Sequence, residues 1–190
     1  MTLLLILLAV LPTIFMIVFI YYKDSYEKEP VGLLVSLFAL GMAGTIPAVA
    51  YETAGDAFIG LFFYKNSGIY NLISAFLGVA LVEEGVKFIA LYFRTWKNPN
   101  YNYKFDGIVY AVLVSLGFAT VENILYVLEG GLSVAIARAL LSVPSHAIDA
   151  VYMGFYYGYA KYYDSVGIVR RRNKNLRMAV IVPVLLHGCY

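Results

Sequence analysis

Eight ionisable side chains lie inside stretches that otherwise read as hydrocarbon: Glu83, Glu84, Lys87, Glu122, Arg138, His146, Asp149 and His187. From Ile69 to Phe93 the only groups able to carry charge at neutral pH are Glu83, Glu84 and Lys87, flanked by ISAFLGVAL and FIALYF. An Asp, Lys or Arg at the centre of a membrane helix costs roughly 2.5–3.5 kcal/mol on insertion scales, so such a set marks function by default. Carboxylates beside two histidines can polarise water, with a glutamate as general base and a histidine or Asn123 steadying an oxyanion. The same groups can hold a divalent metal. Both schemes are hydrolytic. The HExxH helix, the GxSxG elbow and a pair of intramembrane aspartates are all absent from the sequence, which removes the zincin, serine and aspartate-dyad routes.

Spacing predicts who meets whom. Glu83 and Lys87 are i,i+4 with the glutamate first, the favourable order, so one glutamate is neutralised within its own helix. Glu84, about 100° round the cylinder, is expected to stay free for chemistry. Phe118 and Glu122 share a face, with Asn123 beside them. His146 and Asp149 are i,i+3 just after Pro144, a spacing suited to a carboxylate that fixes the imidazole tautomer. His187 precedes Gly188, where a missing side chain admits another backbone. Each residue also has a plainer reading. Glu83 with Lys87 can be a structural pair, Glu122 a packing acceptor, His146 a satisfied polar group at a kink, and Arg138 a charge balance for its neighbours.

The elements that must position these groups are helices in a bilayer. Of 190 residues 62% are hydrophobic and 14% charged, which excludes an ordinary water-soluble domain, and a net charge of +2 gives no reason to expect a nucleic-acid partner. A single cysteine, Cys189, rules out an intrachain disulfide. A span needs roughly 20 mainly apolar residues. Runs at 3–21, 31–50, 69–93, 106–129, 132–163 and 176–190 predict an all-α, polytopic transmembrane helix bundle of six or more spans. The first run lacks a basic flank and a cleavage site, so it reads as a retained helix. Pro144 should kink or break the long fifth run, and the short sixth suggests a C-terminal truncation. Lys23 and Lys28, then Arg94, Lys97 and Lys104, then Lys161, Arg170, Arg171, Arg172, Lys174 and Arg177 fall in alternate loops, while the remaining loops hold only Lys65. That bias puts the N-terminus outside and the polar set in the middle and outer half of the bilayer. A proton-coupled transporter is the rival from another class, but such carriers are commonly built from repeats and the sequence shows none.

The motifs together resemble the PrsW family, bacterial membrane proteases that make the site-1 cut in an anti-sigma factor, and more distantly the CAAX-processing and bacteriocin-processing membrane proteases. The resemblance is carried by KDSYEKEPVGLL at 23–34, EEGVK at 83–87, FDGIVYAVLVSLGFATVENILY at 105–126, PSHA at 144–147 and PVLLHGCY at 183–190. It implies a single transmembrane protease domain over 1–190, a multi-pass place in the bacterial cell membrane, and a single-pass membrane substrate. By resemblance Glu83, Glu84, Glu122, His146 and His187 are the catalytic set, with Lys87 completing the first motif. Glu122 stands where the prenyl-protease relatives carry histidine. Asp149 has no counterpart in the motifs; Asp149, Asn123 and Arg138 are supporting residues on spacing alone. A water activated by glutamate and histidine is the preferred scheme. A divalent metal such as zinc is the other, held by Glu84, Glu122, His146 and His187.

Overall fold

The structure, a computed structural model, describes residues 2–24 and 27–190; Ser25 and Tyr26 of the first-loop motif lie outside that set. Among the described residues seven α-helices follow one another: α1 (Thr2–Lys23), α2 (Val31–Ile59), α3 (Gly68–Ile73), α4 (Leu81–Thr95), α5 (Asp106–Ala137), α6 (Val143–Ser165) and α7 (Val169–Gly188). Two π-helical segments, Ser74–Ala80 and Arg138–Ser142, join α3 to α4 and α5 to α6 without interrupting the helical path. No strand occurs among the described residues.

Helix α5 is the axis of the bundle. Its residues from Val109 to Thr120 are all buried, which explains why this stretch is apolar on every face. Around it pack α1, α2, α4 and α6, and α7 lies against α6. Two glycines let α2 come close. A side-chain carbon at Gly41 would sit 1.9 Å from the Val114 carbonyl oxygen, and one at Gly117 would sit 2.1 Å from that of Phe38. Only hydrogen fits at either point. The chain reverses inside the α5 range at Gly131, whose φ of 71° and ψ of −154° suit only glycine. From there α6 runs back antiparallel to α5, tied by Ser115 Oγ donating to the His146 carbonyl at 2.9 Å.

Three helical runs are long and apolar enough to cross a membrane: Thr2–Lys23, Val31–Ile59 and the 60-residue run Asp106–Ser165, which includes the reversal. The rods at 68–95 and 169–188 carry charged residues that dilute their hydropathy. Helix α2 extends to Ile59, past the expected end at 50, and α7 begins at Val169 instead of 176. Pro144 does not kink the chain sharply. It occupies the first turn of α6, and the backbone bond it cannot donate is accommodated by the preceding π-helical segment.

Candidate active site

Both π-helical segments end immediately before residues with chemical potential: Ser74–Ala80 precedes Glu83 and Glu84, and Arg138–Ser142 precedes His146. An extra residue per turn re-aims the side chains that follow, and such segments gather at functional sites. Here they turn α4 and α6 so that their polar groups face α5 and α7.

At the centre is Lys87, 1% exposed. Its Nζ lies 3.0 Å from Glu83 Oε2, 2.7 Å from Glu84 Oε1 and 3.3 Å from His146 Nδ1, and it sits 4.4 Å from the Phe118 ring centroid. An ammonium has three protons to donate, and all three have acceptors. This corrects the expectation that Lys87 serves one glutamate. Glu84 at i,i+3 is as reachable as Glu83 at i,i+4, so the lysine bridges both.

His146 is fixed from two sides. Because Lys87 can only donate, Nδ1 accepts, and Nε2–H donates to Glu122 Oε2 at 2.9 Å. The tautomer is therefore set by Glu122 on α5, and the expected role of Asp149 at that ring is corrected. Asp149 turns instead toward His187, with Oδ2 3.9 Å from Nδ1. Glu122 also meets Arg138 Nη2 at 3.0 Å, while Arg138 Nε donates to Asn123 Oδ1 at 2.7 Å. Asn123 Nδ2 reaches the Ala9 carbonyl at 3.4 Å, so Asn123 and Arg138 tie α1 to α5. They lie at the edge of the cluster.

His187 arrives from α7, where Gly188 packs on the Phe76 ring of the first π-helical segment. Its Nδ1 lies 3.0 Å from Glu84 Oε1, which makes Nδ1 the donor and leaves Nε2 open, 3.9 Å from Glu83 Oε2. The imidazoles of His146 and His187 meet edge to face at 5.5 Å between centroids. Two carboxylate oxygens here are buried without a partner, Glu84 Oε2 and Asp149 Oδ2. Such orphans mark the place of a water, an ion or a substrate group.

With this geometry in view, comparison with known proteins is informative. The sequence profile described as PrsW family intramembrane metalloprotease matches residues 29–190. The chain belongs to the PrsW family. Among its relatives, Protease PrsW of Geobacillus kaustophilus (strain HTA426) is 39% identical over 183 residues, covering 95% of this chain and 75% of the relative. Protease PrsW of Bacillus subtilis (strain 168) is 36% identical over 179 residues, covering 94% and 77%. Protease PrsW of Clostridioides difficile (strain 630) is 35% identical over 189 residues, covering 97% and 76%. No solved structure matches. As a PrsW protein the chain is a membrane protease, and the transporter alternative falls.

The family's description includes a metal, and the residues fit one. Glu83, Glu84, His146 and His187 each offer a ligand atom, all within 4.8 Å of one another. Two imidazoles with two carboxylates suit a zinc-like ion, with His146 Nδ1 exchanging the Lys87 ammonium for the ion, and the unpartnered Glu84 Oε2 is a free donor. Glu83 stands in this group where Glu122 was expected, because Glu122 is occupied as the outer partner of His146 and Arg138.

One acidic residue near the cluster escaped the sequence reading. Glu52 on α2 interacts through space with Glu83, Glu122, Lys87 and His187. It fell just beyond the expected end of the second span. The signal was available: Gly41, Thr45 and Ala48 form a small-residue stripe at helical spacing that Glu52 continues, and such a stripe marks the face that packs.

Proposed function

We propose that the protein makes the site-1 cut, near the extracytoplasmic face, in a single-pass membrane anti-sigma factor, and that it does so as a multi-pass enzyme of the bacterial cell membrane. In this reading six helical passes span the bilayer with the N-terminus outside. Eleven of the lysines and arginines then lie in or beside the cytoplasmic loops, and Lys65 lies outside. Glu122 is nine residues from Gly131, or about 13 Å at 1.5 Å per residue. The polar cluster therefore opens nearer the outer face.

The observation that carries the proposal is the buried convergence of Glu83, Glu84, His146 and His187 with the Glu84 Oε2 atom unpartnered. Glu84 Oε2 accepts the proton of a water as it attacks the scissile carbonyl. Lys87 holds Glu83 and Glu84 in place. His187, positioned by the Glu84 Oε1 contact, presents the Nε2–H of its doubly protonated ring to the oxygen on which charge develops. Glu122 and His146 act behind these groups, fixing the Lys87 ammonium. A divalent metal bound by Glu83, Glu84, His146 and His187 would supply Lewis-acid polarisation and a more acidic water. Loss of a base or an oxyanion donor costs on the order of 10²-fold or more in rate.

The test is co-expression of the full chain with a doubly tagged single-pass anti-sigma factor, mapping the new terminus by mass spectrometry. One cut on the extracytoplasmic side is expected. A cut on the cytoplasmic side, or an intact substrate beside abundant folded enzyme, overturns the proposal.

A further inference from the structure

Among the described residues Glu52 has no hydrogen bond or ion pair to another side chain, unlike Glu83, Glu84 and Glu122. Glu83 and Glu84 are held by Lys87, Glu122 by Arg138 and His146, and Asp149 stands beside His187. Glu52 is also partly exposed, whereas Glu83, Glu84 and Asp149 are buried.

Packing fixes its level. A side-chain carbon at Gly44 would meet Val86 at 2.9 Å and one at Gly55 would meet Gly78 at 3.8 Å. Helix α2 therefore runs antiparallel to the rod formed by the first π-helical segment and α4. Glu52 lies between those contacts, one turn past the fully buried Ala48, and comes level with the residues just before Leu81. That is about one helical turn from Glu83 along the rod, on the side away from the basic loops. Its carboxyl is electrostatically coupled to Glu83, Glu122, Lys87 and His187.

An unpaired, partly wet carboxylate at the rim of a hydrolytic cluster does not hold the fold together. The cluster already holds more carboxylates than permanent cations, Glu52, Glu83, Glu84, Glu122 and Asp149 against Lys87 and Arg138, so an incoming acidic side chain meets repulsion and a basic one finds a partner. We infer that Glu52 is a specificity-determining residue that selects substrates carrying a lysine or arginine beside the scissile bond and rejects those carrying an acidic residue there. This rests on the proteolytic reading of the cluster.

The experiment uses the full chain in proteoliposomes with one single-pass substrate in three forms, carrying Lys, Gln or Glu beside the mapped cut. Wild type is expected to cleave the Lys form roughly tenfold faster than the Glu form, a ratio within what one partly screened charge pair supplies. Glu52→Gln should bring that ratio to near unity, and Glu52→Lys should invert it. The ratio is the readout, because a variant that merely perturbs folding slows all three forms together. If Glu52→Lys does not accumulate, the isosteric Glu52→Gln decides alone. An unchanged Lys-to-Glu ratio in Glu52→Gln overturns the inference and leaves the proteolytic reading standing. Failure of wild type to cut any of the three forms sinks both.

Discussion

Replacing Lys87 with methionine tests the electrostatic core of the cluster most severely. Methionine is close to lysine in length, so the packing against Phe118 survives and no sizeable cavity opens. What is lost is the cation that meets Glu83 at 3.0 Å, Glu84 at 2.7 Å and His146 at 3.3 Å in a place with almost no solvent access. Removing one partner of a buried pair destabilises by about 3–5 kcal/mol, because the remaining charge must stay uncompensated or take up a proton. Two carboxylates depend on this one ammonium, which argues for the upper part of that range. Unfolding in mild detergent, followed by loss of helical signal against added denaturing surfactant, would measure it. The triple change Lys87→Met, Glu83→Gln, Glu84→Gln removes the charges together and should recover at least half of the loss. A Lys87→Met protein within about 1 kcal/mol of wild type would refute the reasoning, as would a triple variant no more stable than the single one.

Three further outcomes follow from the packing and the first loop. Gly117→Leu should abolish accumulation of folded protein or destabilise it by more than the usual ~1–3 kcal/mol of overpacking, since the Phe38 carbonyl oxygen occupies the space, and membrane abundance with unfolding midpoints would report it. Gly131→Ala has room for its methyl group but keeps a backbone that only glycine adopts freely, so a loss of about 1–3 kcal/mol is expected by the same measurement. In the first loop, burial raises the Glu29 carboxyl from the ordinary value near 4.5 to about 7, despite the hydrogen bond it accepts from Tyr110. The folded state then binds more protons than the unfolded state between those values, so stability falls as pH rises from about 4.5 through 7. Glu29→Gln should flatten that part of the stability profile relative to wild type, and parallel profiles would contradict the assignment.

Much of the architecture was legible in the residues because hydropathy reports where helices run. It could not report where they stop: α2 continues through Glu52 to Ile59, and its Asp56 is met by Lys65 and Tyr70 of the segment that follows, a tertiary fact. The π-helical segments leave almost no sequence trace. Only Pro144, with its missing donor, hints at the second. Within the cluster, spacing identified which groups share a helix face but not which helix faces them. Spacing alone points to Asp149 as the partner of His146, and only the antiparallel packing of α5 on α6 brings Glu122 across to Nε2. Lys87 was read as serving Glu83 alone, although i+3 and i+4 are both within its reach.

The central claim is that Glu83 and Glu84 are buried for hydrolysis and not as structural glue. Its most direct test is cleavage of a tagged single-pass anti-sigma factor by wild type, Glu83→Gln and Glu84→Gln, compared at equal membrane abundance and equal thermal stability. Glu84→Gln is expected to lose about 10²-fold or more of the cleavage rate while remaining folded. Retention of wild-type cleavage in both variants would contradict it.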